Sequence, residues 1–175
     1  MLLILIFTPL FCSAQFSDYY NCYLYIPRGE VASTCNSIHY VHFDSDEKLY
    51  YETISRSTLK SKYDGGVLDE YAVNKTHDYE YNYNTSTYKY EVYMKKKYVQ
   101  QTINGAPLWD PYGSGRPLMY HSGYSYVAFS LDRSEMITWT TGTNDDTPNN
   151  KKYYKLVDAE DLIPAPDPNR YDFLL

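Results

Sequence analysis

The sequence lacks a hydrophobic run long enough to cross a bilayer, and it lacks an excess of positive charge. Its longest apolar stretch, 2–11, is about half of the roughly 20 residues that a transmembrane helix needs. Lys and Arg number 16 against 22 Asp and Glu, which leaves a net charge of −6 at pH 7. A protein that binds a phosphate backbone needs a basic face. The composition therefore argues against a membrane span and against nucleic-acid binding.

The same apolar stretch is typical of a secretory leader. It is followed by Cys12, Ser13 and Ala14, small residues of the kind that signal peptidase accepts before a cut. We expect a signal peptide over 1–14, cleavage before Gln15 and an extracellular mature protein. A retained anchor is the alternative, and the shortness of the apolar run argues against it.

Cysteine is scarce, with three in the chain. Cleavage of the leader would remove Cys12 and leave Cys22 and Cys35, and an even pair in an oxidising compartment predicts a disulfide. Closing about a dozen residues would stabilise the fold by about 2–3 kcal/mol. The pair has neither the CxxC spacing nor the matching histidine pair of a zinc site, so we expect no metal there.

Two acceptor motifs for N-glycosylation support the extracellular interpretation. They begin at Asn74 and Asn84, and both fall where turn residues cluster. We predict that both asparagines are surface acceptors in a eukaryotic secretory route.

Long stretches with helical periodicity and internal repeats are also missing, while period-two alternation dominates. It predicts hairpins from 38–43 with 49–54, 79–83 with 88–94 and 124–131 with 136–141, and single strands at 71–73 and 152–157. We predict a single all-β antiparallel domain over 15–163, with about six to eight short strands, and a proline-rich tail over 164–175. Both a small barrel and a two-sheet sandwich suit this pattern.

Three local features refine this outline. The lysine run 95–97 breaks the alternation and predicts a bulge or an exposed edge. The proline- and glycine-rich segment 104–117 predicts a long irregular loop. Asp158 is placed to cap a short helical turn that ends near Ile163.

No catalytic or metal-binding motif is recognisable. His39 and His42 lie three apart in a predicted strand, which sends them to opposite faces. The acidic turn that contains Asp44 and Asp46 lacks the glycine and glutamate of a calcium loop. We therefore expect a protein that is not an enzyme and that has no cofactor.

Tyrosine is abundant instead, with 23 residues, and tyrosine, phenylalanine and tryptophan together make up 18% of the chain. Most of the tyrosines are expected to build the sheet, because tyrosine has a strong β propensity. The predicted ligand-binding residues cluster in one loop and one hairpin: Trp109, Tyr112, Tyr124, Tyr126 and Trp139. Rings at such positions suit a small amphipathic or cationic ligand.

The size, leader, few cysteines and succession of hairpins resemble those of secreted lipocalin-type carriers. That resemblance implies an eight-stranded barrel that binds small apolar or amine ligands. The Gly-x-Trp signature of their first strand is absent from 16–26, which has no tryptophan, so the barrel stands as one of two architectures. We predict a secreted, non-catalytic binding protein. The alternative is an extracellular structural or protein-interaction module with a tyrosine-rich sheet surface.

Overall fold

A computed structural model describes residues 22–68 and 70–163. The predicted signal peptide 1–14 and the proline-rich tail 164–175 lie outside the described residues, and so do 15–21 at the start of the predicted domain. Within the described part, the chain forms ten strands and two helices. In chain order they are β1 (Cys22–Pro27), β2 (Ser37–Phe43), β3 (Leu49–Ser55), α1 (Arg56–Asp64), β4 (Glu80–Tyr81), β5 (Tyr90–Gln100), β6 (Thr102–Ile103), β7 (Ala106–Pro107), β8 (Met119–Ser130), β9 (Glu135–Thr141), β10 (Asn149–Leu156) and α2 (Ala159–Leu162).

Eight of these strands form one antiparallel sheet in the order β3-β2-β1-β10-β9-β8-β5-β4, and the sheet curls into a half-barrel. Its two edges meet at a single bridge, where the Leu49 amide donates to the Tyr79 carbonyl at 2.9 Å and the Tyr79 amide donates back at 3.1 Å. The pair β6–β7 is a small separate sheet. The all-β prediction is therefore confirmed, with a curled sheet in place of two stacked ones.

Aromatic rings fill the concave side of the half-barrel. Because side chains alternate between the two faces of a strand, every second residue points inward. The buried inward residues form a continuous cluster. Its members are Tyr25, Val41, Phe43, Leu49, Tyr79, Tyr93, Val127, Phe129, Met136 and Tyr154. Phe43 and Phe129 pack edge to face with 5.6 Å between ring centroids, an arrangement that aromatic quadrupoles favour.

The convex side of β1, β2 and β3 is covered by the two helices. Leu24, Ile38 and Ile54 pack there against Leu59 of α1 and Leu162 of α2. The guanidinium of Arg56, the first residue of α1, donates to the carbonyls of Ala32, Cys35 and Leu162. One side chain thus joins α1, α2 and the connection between β1 and β2.

Several sequence expectations are confirmed. The hairpins β2–β3 and β8–β9 lie where alternation predicts them. Asp158 stands at the N-cap position of α2, as predicted, but its side chain makes no capping hydrogen bond. The register between β5 and β8 shifts at Lys97, next to the predicted bulge site. Val127 and Phe129 face the concave cluster, whereas Tyr126 and Ala128 belong to a cluster on the opposite face.

Other expectations need correction. Residues 71–73 form turns and not a strand. Helix α1 is absent from the sequence prediction because Leu59 alone is buried on it, so it has no apolar stripe. Its start is set by the Ser55 hydroxyl, which accepts a hydrogen bond from the Thr58 amide at 3.1 Å. The segment 104–117 is not wholly irregular, because it contains β7.

The predicted disulfide is also corrected, because no disulfide joins Cys22 and Cys35, although both are buried. Cys22 on β1 lies opposite His42, which is near the C-terminal end of β2. Cys35 lies at the other end, two residues before the Ser37 that begins β2. Five strand positions separate Ser37 from His42, a length of about 17 Å. A disulfide needs Cα atoms within about 7 Å, so the strand register keeps the two sulfurs apart.

Beyond the half-barrel, β5 and β8 continue as a two-stranded ribbon. The pairing of β8 with β9 stops at Tyr124 of β8, and the pairing of β5 with β4 stops at Met94 of β5. At the base of the ribbon Gly123 has a φ of +138°, and a Cβ built there would lie 2.0 Å from the Thr141 carbonyl oxygen. Glycine is therefore required at this position by backbone conformation and by space.

We expect Gly123→Ala to lower the free energy of unfolding by about 2–4 kcal/mol, because it combines a steric clash with a strained backbone. Gly29→Ala is the matched control, since a Cβ added at Gly29 would meet no atom within 4 Å and the residue has no positive φ. Urea denaturation of both variants measures the difference. Equal stability of the two variants would contradict the close approach of Gly123 to Thr141.

Candidate functional site

A cavity of about 280 Å³ lies at the end of the half-barrel away from the β2–β3 turn. We call it the His39 cavity. Its lining comes from five strands and from Tyr79, which precedes β4: His39, Tyr51, Thr53, Tyr79, Ser125, Tyr126, Thr138, Trp139, Thr140, Asn150, Lys152 and Tyr154. A wider, open cavity of about 700 Å³ shares four of these residues, so the two adjoin. Its lining adds the cationic residues Arg28 and Lys151.

Strand register brings the polar residues of the His39 cavity together. His39 stands opposite Thr53 across β2 and β3, and Lys152 stands opposite Thr138 across β10 and β9. Because side chains alternate between faces, these positions and Tyr154 point to the same side of the sheet. The ring centroids of His39 on β2 and Tyr154 on β10 are 4.2 Å apart. This contact joins the part of the cavity formed by β2 and β3 to the part formed by β9 and β10.

His39 is a neutral imidazole in this setting. Its side chain is buried, with 7% exposure, and its Nδ1 lies 2.7 Å from the Tyr51 hydroxyl and 3.3 Å from the Thr53 hydroxyl. Burial lowers the pKa of His39 to about 4, and the positive charge of Lys152 acts in the same direction. At neutral pH the ring therefore takes part in hydrogen bonds without a charge.

The phenols of Tyr51 and Tyr79, which line the same cavity as His39, remain protonated. Burial raises the pKa of Tyr51, and the neighbouring hydroxyls of Tyr154 and Tyr79 add to this effect. Burial likewise raises the pKa of Tyr79, against a smaller opposing effect from its hydrogen bond with Ser125. The cavity thus has aromatic walls, and its hydroxyl groups can donate and accept hydrogen bonds.

The ionic groups in the lining are all cationic. Among the residues that the structure describes, no carboxylate lines either the His39 cavity or the adjoining open one. Lys152 borders both, and Arg28 of the open cavity is 3.4 Å from Glu135, which is outside the lining. The arrangement favours neutral or anionic polar groups over cations.

Three of the five predicted ligand-binding residues come together, and two lie elsewhere. Tyr126 and Trp139 are cross-strand partners whose rings stack at 5.0 Å with 5° between their planes, and Tyr124 lies 6.3 Å from Tyr126. Tyr126 and Trp139 also border the His39 cavity, although their rings pack in the cluster on the opposite face of the sheet. Trp109 and Tyr112 lie in the segment between β7 and β8, 56% and 94% exposed, and they contribute to neither cavity described above.

Sequence reasoning missed the residues at the centre of the cavity. His39 lies between Ile38 and Tyr40 in the sequence. The alternation of polar and apolar residues there therefore gave no indication that His39 points to the inward face of the sheet. Lys152 and Tyr154 reach His39 only because β10 pairs with both β1 and β9. No local pattern encodes that pairing.

The remaining histidine pair does not extend this site. His42 Nδ1 lies 2.8 Å from His77 Nε2, and burial lowers the pKa of His42, followed by the effect of His77. Within 22–68 and 70–163, no group of three His, Cys, Asp or Glu side chains is arranged to hold a metal. None of the helices in these ranges has the length and apolar character needed to span a membrane.

Comparisons of the chain with protein-family models, with curated proteins and with solved structures found no match. The interpretation of the site therefore depends on its own geometry and chemistry.

We expect His39 to make stability depend on pH. Its pKa is about 4 in the folded protein and about 6.5 in the unfolded chain, so the unfolded state takes up the proton first as the pH falls. The stabilisation is complete above about pH 6.5 and declines toward pH 4. After allowance for solvent screening, wild type should lose about 1–3 kcal/mol more than His39→Gln between pH 7 and pH 4.

Denaturation curves of the two proteins across this pH range measure that difference, and His42 is common to both, so its own titration cancels. An NMR titration of the His39 ring provides a direct check. Parallel pH profiles of the two proteins, or a ring that titrates near pH 6.5, would contradict a buried neutral His39.

Proposed function

We propose that this protein is a non-catalytic binding protein that holds a small amphipathic molecule in the His39 cavity. The observation that carries the proposal is a cavity with tyrosine walls, hydroxyl groups and a lysine, and without a lining carboxylate in the described part of the chain. Ligand sites commonly combine apolar walls with a few polar groups that fix orientation.

The chemistry of the lining favours a ligand with a flat apolar body and a neutral or anionic polar group. Tyr51, Tyr79 and Tyr154 provide ring surface, and Thr138 and Thr140 provide hydroxyls. Lys152 supplies a positive charge for an acidic group. A cationic ligand fits this cavity less well, because it would meet Lys152 without a compensating carboxylate.

The absence of catalysis is part of the proposal, and the surroundings of His39 support it. A catalytic histidine normally contacts a nucleophile and is oriented by a carboxylate or another polar group. Here His39 is beside Tyr51, whose phenol has a raised pKa and is a poor nucleophile at neutral pH. Lys152, the charged group that affects His39, makes the imidazole a weaker base.

Binding of 1-anilinonaphthalene-8-sulfonate, an aromatic anion, tests the proposal at neutral pH. We expect saturable fluorescence enhancement with the folded protein and about tenfold weaker binding to Lys152→Glu, a loss of about 1.4 kcal/mol. Lys155→Glu is the matched control, because it makes the same charge change on the same strand but lies on the opposite face, outside the lining.

Equal losses in the two lysine variants would indicate general surface electrostatics and would contradict the His39 cavity as the site. A probe that binds the folded protein no better than the same protein unfolded in urea would also contradict it. Trp109→Ala should leave probe binding unchanged, since Trp109 is outside this lining.

A second candidate function is an interaction module that uses the ribbon and the segment 101–118, which joins its two strands. Seven large apolar side chains are exposed there: Tyr98, Val99, Ile103, Trp109, Tyr112, Met119 and Tyr120. Residues 95–123 carry four Lys or Arg and one Asp, so their net charge is +3 in a chain of net charge −6. An acidic protein surface with apolar patches is the partner that this composition favours.

If the ribbon binds such a partner, charge reversal of the lysines at 95–97 would abolish a strongly salt-dependent association. It would leave binding of 1-anilinonaphthalene-8-sulfonate intact.

Secretion and glycosylation complete the proposal. The apolar leader supports secretion, and the exposure of Asn74 and Asn84, both in turns, is compatible with attached glycans. We expect the protein secreted by a eukaryotic host to begin at Gln15 and to lose mass on enzymatic removal of N-glycans. Asn74→Gln and Asn84→Gln should each remove one increment of mass. An intact leader on the recovered protein would contradict secretion by cleavage.

A further inference from the structure

The end of the half-barrel at the β2–β3 turn holds a separate cavity of about 410 Å³. Its ring walls come from five strands or adjoining turns, namely Tyr23, Phe43, Tyr81, Tyr83 and Tyr93. Tyr81 makes edge-to-face contacts with Tyr83 at 4.7 Å and with Tyr93 at 5.4 Å. None of these residues lines the His39 cavity, so the two ends are separate candidate sites.

A cation of the protein itself already occupies part of this aromatic end. The Arg133 guanidinium lies 4.6 Å from the Phe43 ring centroid and 5.1 Å from that of Phe129. Ring faces attract cations through their quadrupoles. The Arg133 carbonyl accepts a hydrogen bond from the Tyr25 hydroxyl at 2.9 Å, which anchors this residue to the core. The rings are thus arranged so that a positive charge is favourable beside them.

Negative charge in the lining exceeds positive charge. Glu91 pairs with Arg133 at 2.5 Å, but Asp44 and Glu47 form no ion pair with a cation of the described chain. Three carboxylates and one guanidinium leave a net charge of −2. Asp44, which lines the cavity, uses Oδ1 to accept hydrogen bonds from the amides of Asp46 and Lys48, and these bonds fix its carboxylate in the turn.

From this combination we propose that the Asp44 end of the half-barrel binds a small organic cation, either a quaternary ammonium or a protonated amine. Tyr81 and Tyr83 provide ring surface beside Glu47, and Asp44 and Glu47 balance the charge of the ligand. A metal ion fits less well, because most of the wall is aromatic and hard cations prefer a shell of oxygen ligands. This site is independent of the function proposed for the His39 cavity.

Calorimetric titration with choline, compared with its neutral isostere 3,3-dimethylbutan-1-ol, tests the proposal. The two molecules have nearly the same shape, so the difference between them isolates the charge. We expect saturable binding of choline and at least about tenfold weaker binding of the alcohol. Lys152→Glu should leave choline binding unchanged, which separates this site from the His39 cavity.

Two pairs of variants locate the site. Tyr83→Leu should weaken choline binding by about threefold or more, whereas Tyr88→Leu should not. The two tyrosines lie in the same β4–β5 connection and are 84% and 83% exposed, but Tyr83 alone of the two lines the cavity. Glu47→Gln should weaken binding to a similar extent, with Asp46→Asn as its control in the same turn.

Absence of saturable choline binding would overturn the proposal. Equal binding of the neutral isostere would do so as well, because the carboxylates and ring faces would then have no part in recognition. Equal losses in the control variants would place any binding outside this cavity. Selective loss in Tyr83→Leu and Glu47→Gln, with the controls unchanged, is the supporting result.

Discussion

The need of each buried tyrosine hydroxyl for a hydrogen-bond partner is the constraint on which this structure depends. Tyr25 donates to the Arg133 carbonyl at 2.9 Å, and Tyr40 donates to the Leu68 carbonyl at 3.1 Å. A buried polar group left without a partner costs about 1–3 kcal/mol. Each ring therefore fixes the position of a second segment as well as filling space. These hydrogen bonds, together with the burial of the rings, hold the β8–β9 turn and the segment after α1 against the sheet.

This constraint also explains why the two ends of the half-barrel differ. Phe129 and Val127 have no polar side-chain atom and are fully buried in the core, whereas the charged residues Lys152 and Arg133 line the cavities at the two ends. At one opening, burial and Lys152 keep His39 neutral. At the other, the Arg133 guanidinium is balanced by Glu91, and additional carboxylates surround the rings. The cavities at the two ends of one tyrosine-rich sheet thus have linings of opposite net charge.

The alternation of residue types along the chain predicts contacts between strands that are neighbours in sequence, and little more. It predicts the hairpins because β2–β3 and β8–β9 are contiguous in the chain. It fails for α1, which has one buried residue. The disulfide expected from the even cysteine pair fails for another reason, because the register of β1 and β2 separates Cys22 from Cys35. It also leaves the buried face undecided where tyrosine lies on both faces, since the ring suits a core and the hydroxyl suits an edge. The stack of Tyr126 on Trp139 was accessible to sequence reasoning, whereas the contact of Tyr154 with His39 was not.

The placement of β10 accounts for that difference. It enters the sheet between β1 and β9, so Lys152 comes to lie near His39, which is far away in the chain. A ligand in the His39 cavity would contact β2, β9 and β10 together. Because such a ligand binds the folded sheet and not the separated strands, its binding free energy adds to the stability of the fold. Binding of such a ligand would therefore be coupled to the closure of the sheet, because the cavity forms only when strands from both ends of the described chain are in register.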